Sequence, residues 1–136
     1  WEGVDIDTRS TLGLFPSEDA RNAMWAERHR EKAGILTALK SQGLLPAGVS
    51  EDPAQVPIMT TELMEGIHQY LARTPAWMVL ANIDDVIGTR VQANLPGTVD
   101  QHPNWCRKLS LPVEELTQDS RFERLAALLR LTRPLV

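Results

Sequence analysis

The side chains best suited to chemistry gather in one stretch, Asn94 to Leu109. Asn94-Leu95-Pro96-Gly97-Thr98 is followed by His102-Pro103-Asn104-Trp105-Cys106-Arg107-Lys108-Leu109. Pro96-Gly97 reads first as a turn, with proline fixing φ and glycine supplying a positive φ. Such a turn can also bring backbone close to a ligand. Asn94 is the polar residue suited to face a ligand hydroxyl, because an amide both donates and accepts. Trp105 could stack on a ring of a ligand, although an aromatic residue in this setting is more often a core anchor. Arg107 and Lys108 place positive charge beside the Cys106 thiol, a setting in which cysteine can serve as a nucleophile. A nucleophile also needs a base and an oxyanion site, and neither can be read here.

The remaining candidates carry plainer readings. His29, His68 and His102 share no metal spacing, and no His-Glu-x-x-His or cysteine pair occurs, so no metal site is expected. His29 reads as part of a helix–helix seam. His102, near Asp100, could orient a polar group, with a structural or solvated role the simpler account. Two carboxylate pairs occur, Asp84/Asp85 and Glu114/Glu115. Paired carboxylates that transfer sugars must flank one bond. Neighbours on a helix point in different directions, so both pairs read as first-turn residues favoured by the helix dipole. No catalytic residue is assigned.

These residues need elements to hold them. Residues 1–16 read as extended or loop, punctuated by Gly3, Gly13 and Pro16. Ser17 can cap a helix running to about Gln42, with Trp25, His29, Ala33, Leu36 and Leu39 facing inward. Gly43 suits the position just past its end, Leu44 packs back, and Pro46 prevents continuation. Residues 46–60 form a connector. A second helix spans about Thr61 to Arg73, with Leu63, Ile67, Tyr70 and Leu71 as its stripe. Ala76-Trp77-Met78-Val79-Leu80-Ala81 does not alternate and suits a strand buried on both faces, though a buried helical turn fits the same pattern. Asp84 to Gly88 reads as a short helical turn. Pro112, Glu114 and Glu115 suit another short helix. Ser120-Arg121-Phe122-Glu123 matches a capping box for a last helix ending near Thr132, before Pro134. The result is a mainly helical chain with about four helices and one short strand, read as a single unit over residues 1–136. A lone buried strand leaves backbone groups unsatisfied, which implies partners outside the chain.

Composition sets the outer limits. The chain has 136 residues, 43% of them apolar and 24% charged, with a formal charge of −4. That is enough for one domain with a core. The dispersed basic residues argue against nucleic acid or an anionic membrane as partner. No apolar run reaches the roughly 20 residues of a membrane helix. The single cysteine fits a reducing compartment, and a cytoplasmic location is expected. The chain opens on Trp1, which suggests a cut or processed piece.

Four segments in order resemble the C-terminal part of the amylomaltases, the 4-α-glucanotransferases of glycoside hydrolase family 77. These are Trp1-Glu2-Gly3, Leu12-Gly13-Leu14-Phe15-Pro16, Asn94-x-Pro96-Gly97-Thr98 and Asn104-Trp105-x-Arg107-Lys108-Leu109. The resemblance implies a (β/α)₈ barrel of which this chain is the closing part, with Ala76–Ala81 as last strand. It implies a retaining transfer between α-1,4-glucans (maltodextrins), needing no metal or organic cofactor. The three carboxylates of that mechanism belong upstream of Trp1. In the family an asparagine of the corresponding loop lines the sugar cleft; Asn94 matches it, and Pro96 and Gly97 would shape the loop. Cys106 stands where the family usually has arginine, and Gln92 replaces a common acidic residue. On this reading the isolated chain is inactive, and its severed apolar surface invites dimerisation or aggregation. The rival reading is a self-standing helical interaction module using the Phe122–Leu129 face, with residues 76–81 helical or irregular and not paired as a strand.

Overall fold

The computed structural model describes residues 1–133, and among these are six α-helices and no strand. They are α1 (Val4–Thr11), α2 (Glu18–Ser41), α3 (Thr61–Ala72), α4 (Ile83–Val86), α5 (Val113–Leu116) and α6 (Ser120–Thr132), with a 3-10 turn at Pro53–Gln55. Pro134 lies outside the described residues.

Local chemistry sets the ends of the long helices. The Ser17 hydroxyl accepts from the Ala20 N–H at 3.2 Å, and Glu18 and Asp19 occupy the positive first turn of α2. At the other end Gly43 N donates to Lys40 O and Leu44 N to Leu39 O, the paired bonds of a Schellman stop. The Thr60 hydroxyl caps α3 through the Leu63 N–H.

α3 lies at the centre, packed against α2, α4 and α6. One cluster joins Leu36 and Leu39 of α2 with Val56 and Leu63. A second joins Met64, Val86 and Leu125, with Phe122, Leu128 and Leu129 against it. Leu63 and Met64 therefore serve two cores from adjacent positions. The backbone after α2 comes so close to α3 that a Cβ on Gly66 would sit 2.7 Å from Leu44 O, so only glycine fits there. The 46–60 connector is tied down at Val56, whose carbonyl accepts from Trp1 Nε1 at 3.0 Å and Lys32 Nζ at 2.9 Å.

Several expectations need correction. Residues 4–11 are helical rather than extended. The segment buries only Ile6, and its acidic first turn and the Asp5–Arg28 pair hold it on α2. In α2, Leu36 and Leu39 are buried, but Trp25 is exposed even though its ring edge lies over Gly3, and His29 is exposed because little covers that half of the helix. The α3 stripe is rotated: Leu63 is buried, while Tyr70 and Leu71 are exposed and Met64, Gly66 and His68 are buried instead. In α6 the cap is Asp119 rather than Ser120, its carboxylate accepting from the Arg121 N–H.

The largest departure is at residues 76–81. They form neither a strand nor a helical turn. Trp77 is fully exposed, Met78 is 72% exposed and Leu80 is 80% exposed. Among the described residues, 77–81 make no backbone–backbone hydrogen bond. Extended backbone without a neighbouring strand is left to water. On the Phe122–Leu129 face of the rival reading, Leu125 is buried against Met64 and Val86, and Phe122, Leu128 and Leu129 are partly buried around it.

Candidate functional site

The signature stretch folds into a compact loop cluster between α4 and α5. Leu95 anchors it, with its side chain fully buried. Leu95 O accepts from Thr98 N at 3.2 Å across Pro96-Gly97, and Gly97 has φ +88°. Proline second and a positive-φ residue third is the arrangement of a type II turn, as the sequence implies. Asn94 is half-buried, and Pro96 and Gly97 are exposed at the turn's tip.

Asn104 closes the turn. Its Oδ1 accepts from Leu95 N at 2.8 Å. Its Nδ2 donates to Thr98 Oγ1 at 2.9 Å, and that hydroxyl donates to Leu95 O at 2.7 Å. A neutral amide is the side chain that can do both. Next along the chain, Trp105 N donates to Ala93 O at 2.7 Å, and His102 Nε2 donates to Gln92 O at 3.2 Å. Trp105 adopts φ +60°, the one positive φ outside glycine among the described residues. Its indole is 76% exposed rather than a core anchor, because this backbone turns the ring outward while the N–H points into the loop. Asn104's part was missed from sequence. The alternation of polar and aromatic residues there gives no sign of a contact nine positions back.

Charge pairs fasten this cluster to the helices. Arg107 Nη2 bonds Asp84 Oδ2 in the first turn of α4, so Asp84 is a structural partner rather than a reacting acid. Arg121 Nη1 donates to Ile87 O at 2.9 Å, joining the end of α4 to the start of α6. The Arg121 guanidinium beside Asp119 holds that carboxyl down at about 2. Glu114 and Glu115 are exposed in the first turn of α5. The Cys106 thiol is exposed and donates to Asn104 O at 3.3 Å.

A second feature is a cleft of about 590 Å³ between α1, α2, α3 and the chain after α4, lined by Glu2, Arg28, His68, Asp85, Arg90 and others. Its charges are largely paired. Arg28 makes a two-pronged bond to Asp5 at 3.0 and 2.8 Å, which holds the Asp5 carboxyl below its ordinary value. Arg90 pairs with Glu2 at 3.1 Å. His68, 5% exposed, donates from Nδ1 to Met64 O at 2.9 Å. Gln92 reaches this cleft, whereas Asn94, Pro96 and Gly97 do not line it. Among the described residues no group of three or more His, Cys, Asp or Glu is placed to hold a metal ion, and no helix is long and apolar enough to cross a membrane.

Comparison with known proteins gives a consistent result. The family model Glyco_hydro_77, described as 4-alpha-glucanotransferase, matches residues 9–114. A 4-alpha-glucanotransferase of Haemophilus influenzae is 26% identical over 113 residues, covering 83% of this chain and 16% of that protein. Those of Mycobacterium bovis and Mycobacterium tuberculosis are 30% identical over 136 residues, covering 94% of this chain and 17% of theirs. The chain thus spans less than a fifth of the length of these relatives.

Proposed function

We propose that this chain, which belongs to the Glyco_hydro_77 family of 4-alpha-glucanotransferases, is the closing part of such an enzyme's (β/α)₈ barrel and carries part of its sugar site. The substrate is an α-1,4-glucan, cut by a retaining mechanism and passed to the 4-hydroxyl of a second glucan. The reacting carboxylates lie in the remainder of the enzyme. Asn94 supplies hydrogen bonds to a sugar hydroxyl, and Pro96 and Gly97 give the loop its shape. Residues 76–81 form the last barrel strand once neighbours are present, and the loop after that strand reaches the barrel face where such enzymes place their sites.

The observation that carries this reading is the exposure of three apolar side chains in one short stretch, Trp77, Met78 and Leu80. An isolated domain gains by burying such a run, whereas a barrel strand with its neighbours removed has nothing to bury it against. The match over residues 9–114 supports the same assignment. The test is glucose release from maltotriose. The purified chain is expected to release none, and the longer polypeptide that contains it is expected to release glucose. Turnover by the chain alone contradicts the proposal.

A further inference from the structure

We infer that Asn104 is the positioning residue of the sugar-contacting loop, holding Asn94 ready for the glucan; this rests on the reading of that loop given above. The peptide groups on both sides of Asn94 are held from one place. Ala93 O accepts from Trp105 N at 2.7 Å, and Leu95 N donates to Asn104 Oδ1 at 2.8 Å. The Asn94 side-chain amide, by contrast, takes no part in this latch, and the residue is half-buried. Its backbone is fixed while its head group stays outside the latch, which is the condition for preorganised recognition.

The latch is specific to an amide. Asn104 must accept from one backbone N–H and donate to the Thr98 hydroxyl, which in turn donates to Leu95 O. An aspartate keeps the acceptor and loses the donors, and an alanine loses both. The left-handed backbone at Trp105 belongs to the same device, because it is the residue whose N–H reaches Ala93 O. A non-glycine residue held at positive φ is retained only where its surroundings enforce it.

Two measurements test the latch together. In the chain, Asn104→Ala is expected to speed amide hydrogen exchange at Leu95 by about tenfold or more, as loss of a local protecting bond does, with Asn104→Asp intermediate. Unchanged exchange overturns the inference. In the longer polypeptide, Asn94→Ala and Asn104→Ala are each expected to raise KM for maltodextrin about tenfold, with a smaller change in kcat, the scale of one lost hydrogen bond. The double variant should be no worse than Asn94→Ala alone, because Asn104 acts through Asn94. Additive losses overturn the positioning role and leave Asn104 a general stabiliser. If Asn94→Ala changes nothing while Leu95 exchange still responds to Asn104→Ala, the sugar reading of the loop is the part that fails, and the inference falls with it.

Discussion

Two neighbouring stretches of this chain behave in opposite ways. Residues 93–107 contain few apolar side chains, yet their loop is fixed by a buried Leu95, a type II turn and the Asn104 latch. Residues 76–81 are almost entirely apolar, yet they lie open, with Trp77, Met78 and Leu80 in solvent. The loop carries much of the means of its own order, since its turn and latch bonds all lie within residues 93–105, and Arg107–Asp84 then fastens it to α4. The apolar segment has no such means. Its order depends on backbone partners, and the helices around it supply Arg133 to Ala76 O and little more. Hydrophobicity alone therefore does not mark what is structured here; satisfied hydrogen bonding does.

The largest effect that could break this contrast is expected at the loop anchor. Leu95→Ala should lower the stability of the chain by about 2–5 kcal/mol in urea unfolding, as for other buried leucines. A cost under about 0.5 kcal/mol would mean that the loop is not tied to the core at all.

A smaller effect is expected in acid. The Asp5 carboxyl is held low first by its hydrogen bonds to Arg28, so its folded-state pKa lies below its unfolded one. Its contribution is complete above the ordinary carboxylate value, about 4, and is lost as pH falls through the lowered value. Asp5→Asn should therefore cost about 1–2 kcal/mol near neutrality, and the gap from the parent chain should close below about pH 4. Thermal melts across that range check it, and a gap that stays constant in acid contradicts the assignment. This pair fastens α1 to α2 and touches neither of the contrasted stretches, so it calibrates the helical frame that both share.

The smallest effect is expected at Trp77. Trp77→Ser should shift the unfolding midpoint of the chain negligibly, within about 0.5 kcal/mol, because the indole leaves no core behind. It should also raise the concentration at which the chain stays dispersed in light scattering. A large loss of stability would place Trp77 inside the fold.

What could be read from the sequence follows the same division. Ser17, Gly43 and Leu44 bound α2 through contacts a few residues apart, and Pro96-Gly97 forms its turn for the same local reason. α1 was not legible: Val4–Thr11 is polar, buries Ile6 alone and depends on Arg28, which is 23 residues away from Asp5. The exposure of His29 depends on how little of α2 is covered, which periodicity does not encode. Trp105 looked like an anchor because its type suits a core, whereas a backbone bond to Ala93 decides its orientation. Within the candidate site the turn was legible and the latch was not, because Asn104 reaches back nine residues to Leu95.

Amide hydrogen exchange at residues 77–81 tests the central claim most directly, measured in this chain and in the longer polypeptide that contains it. These amides are expected to exchange at near-unprotected rates in the chain and, on the proposed barrel reading, to become strongly protected in the longer protein. Rates that are the same in both would contradict the account.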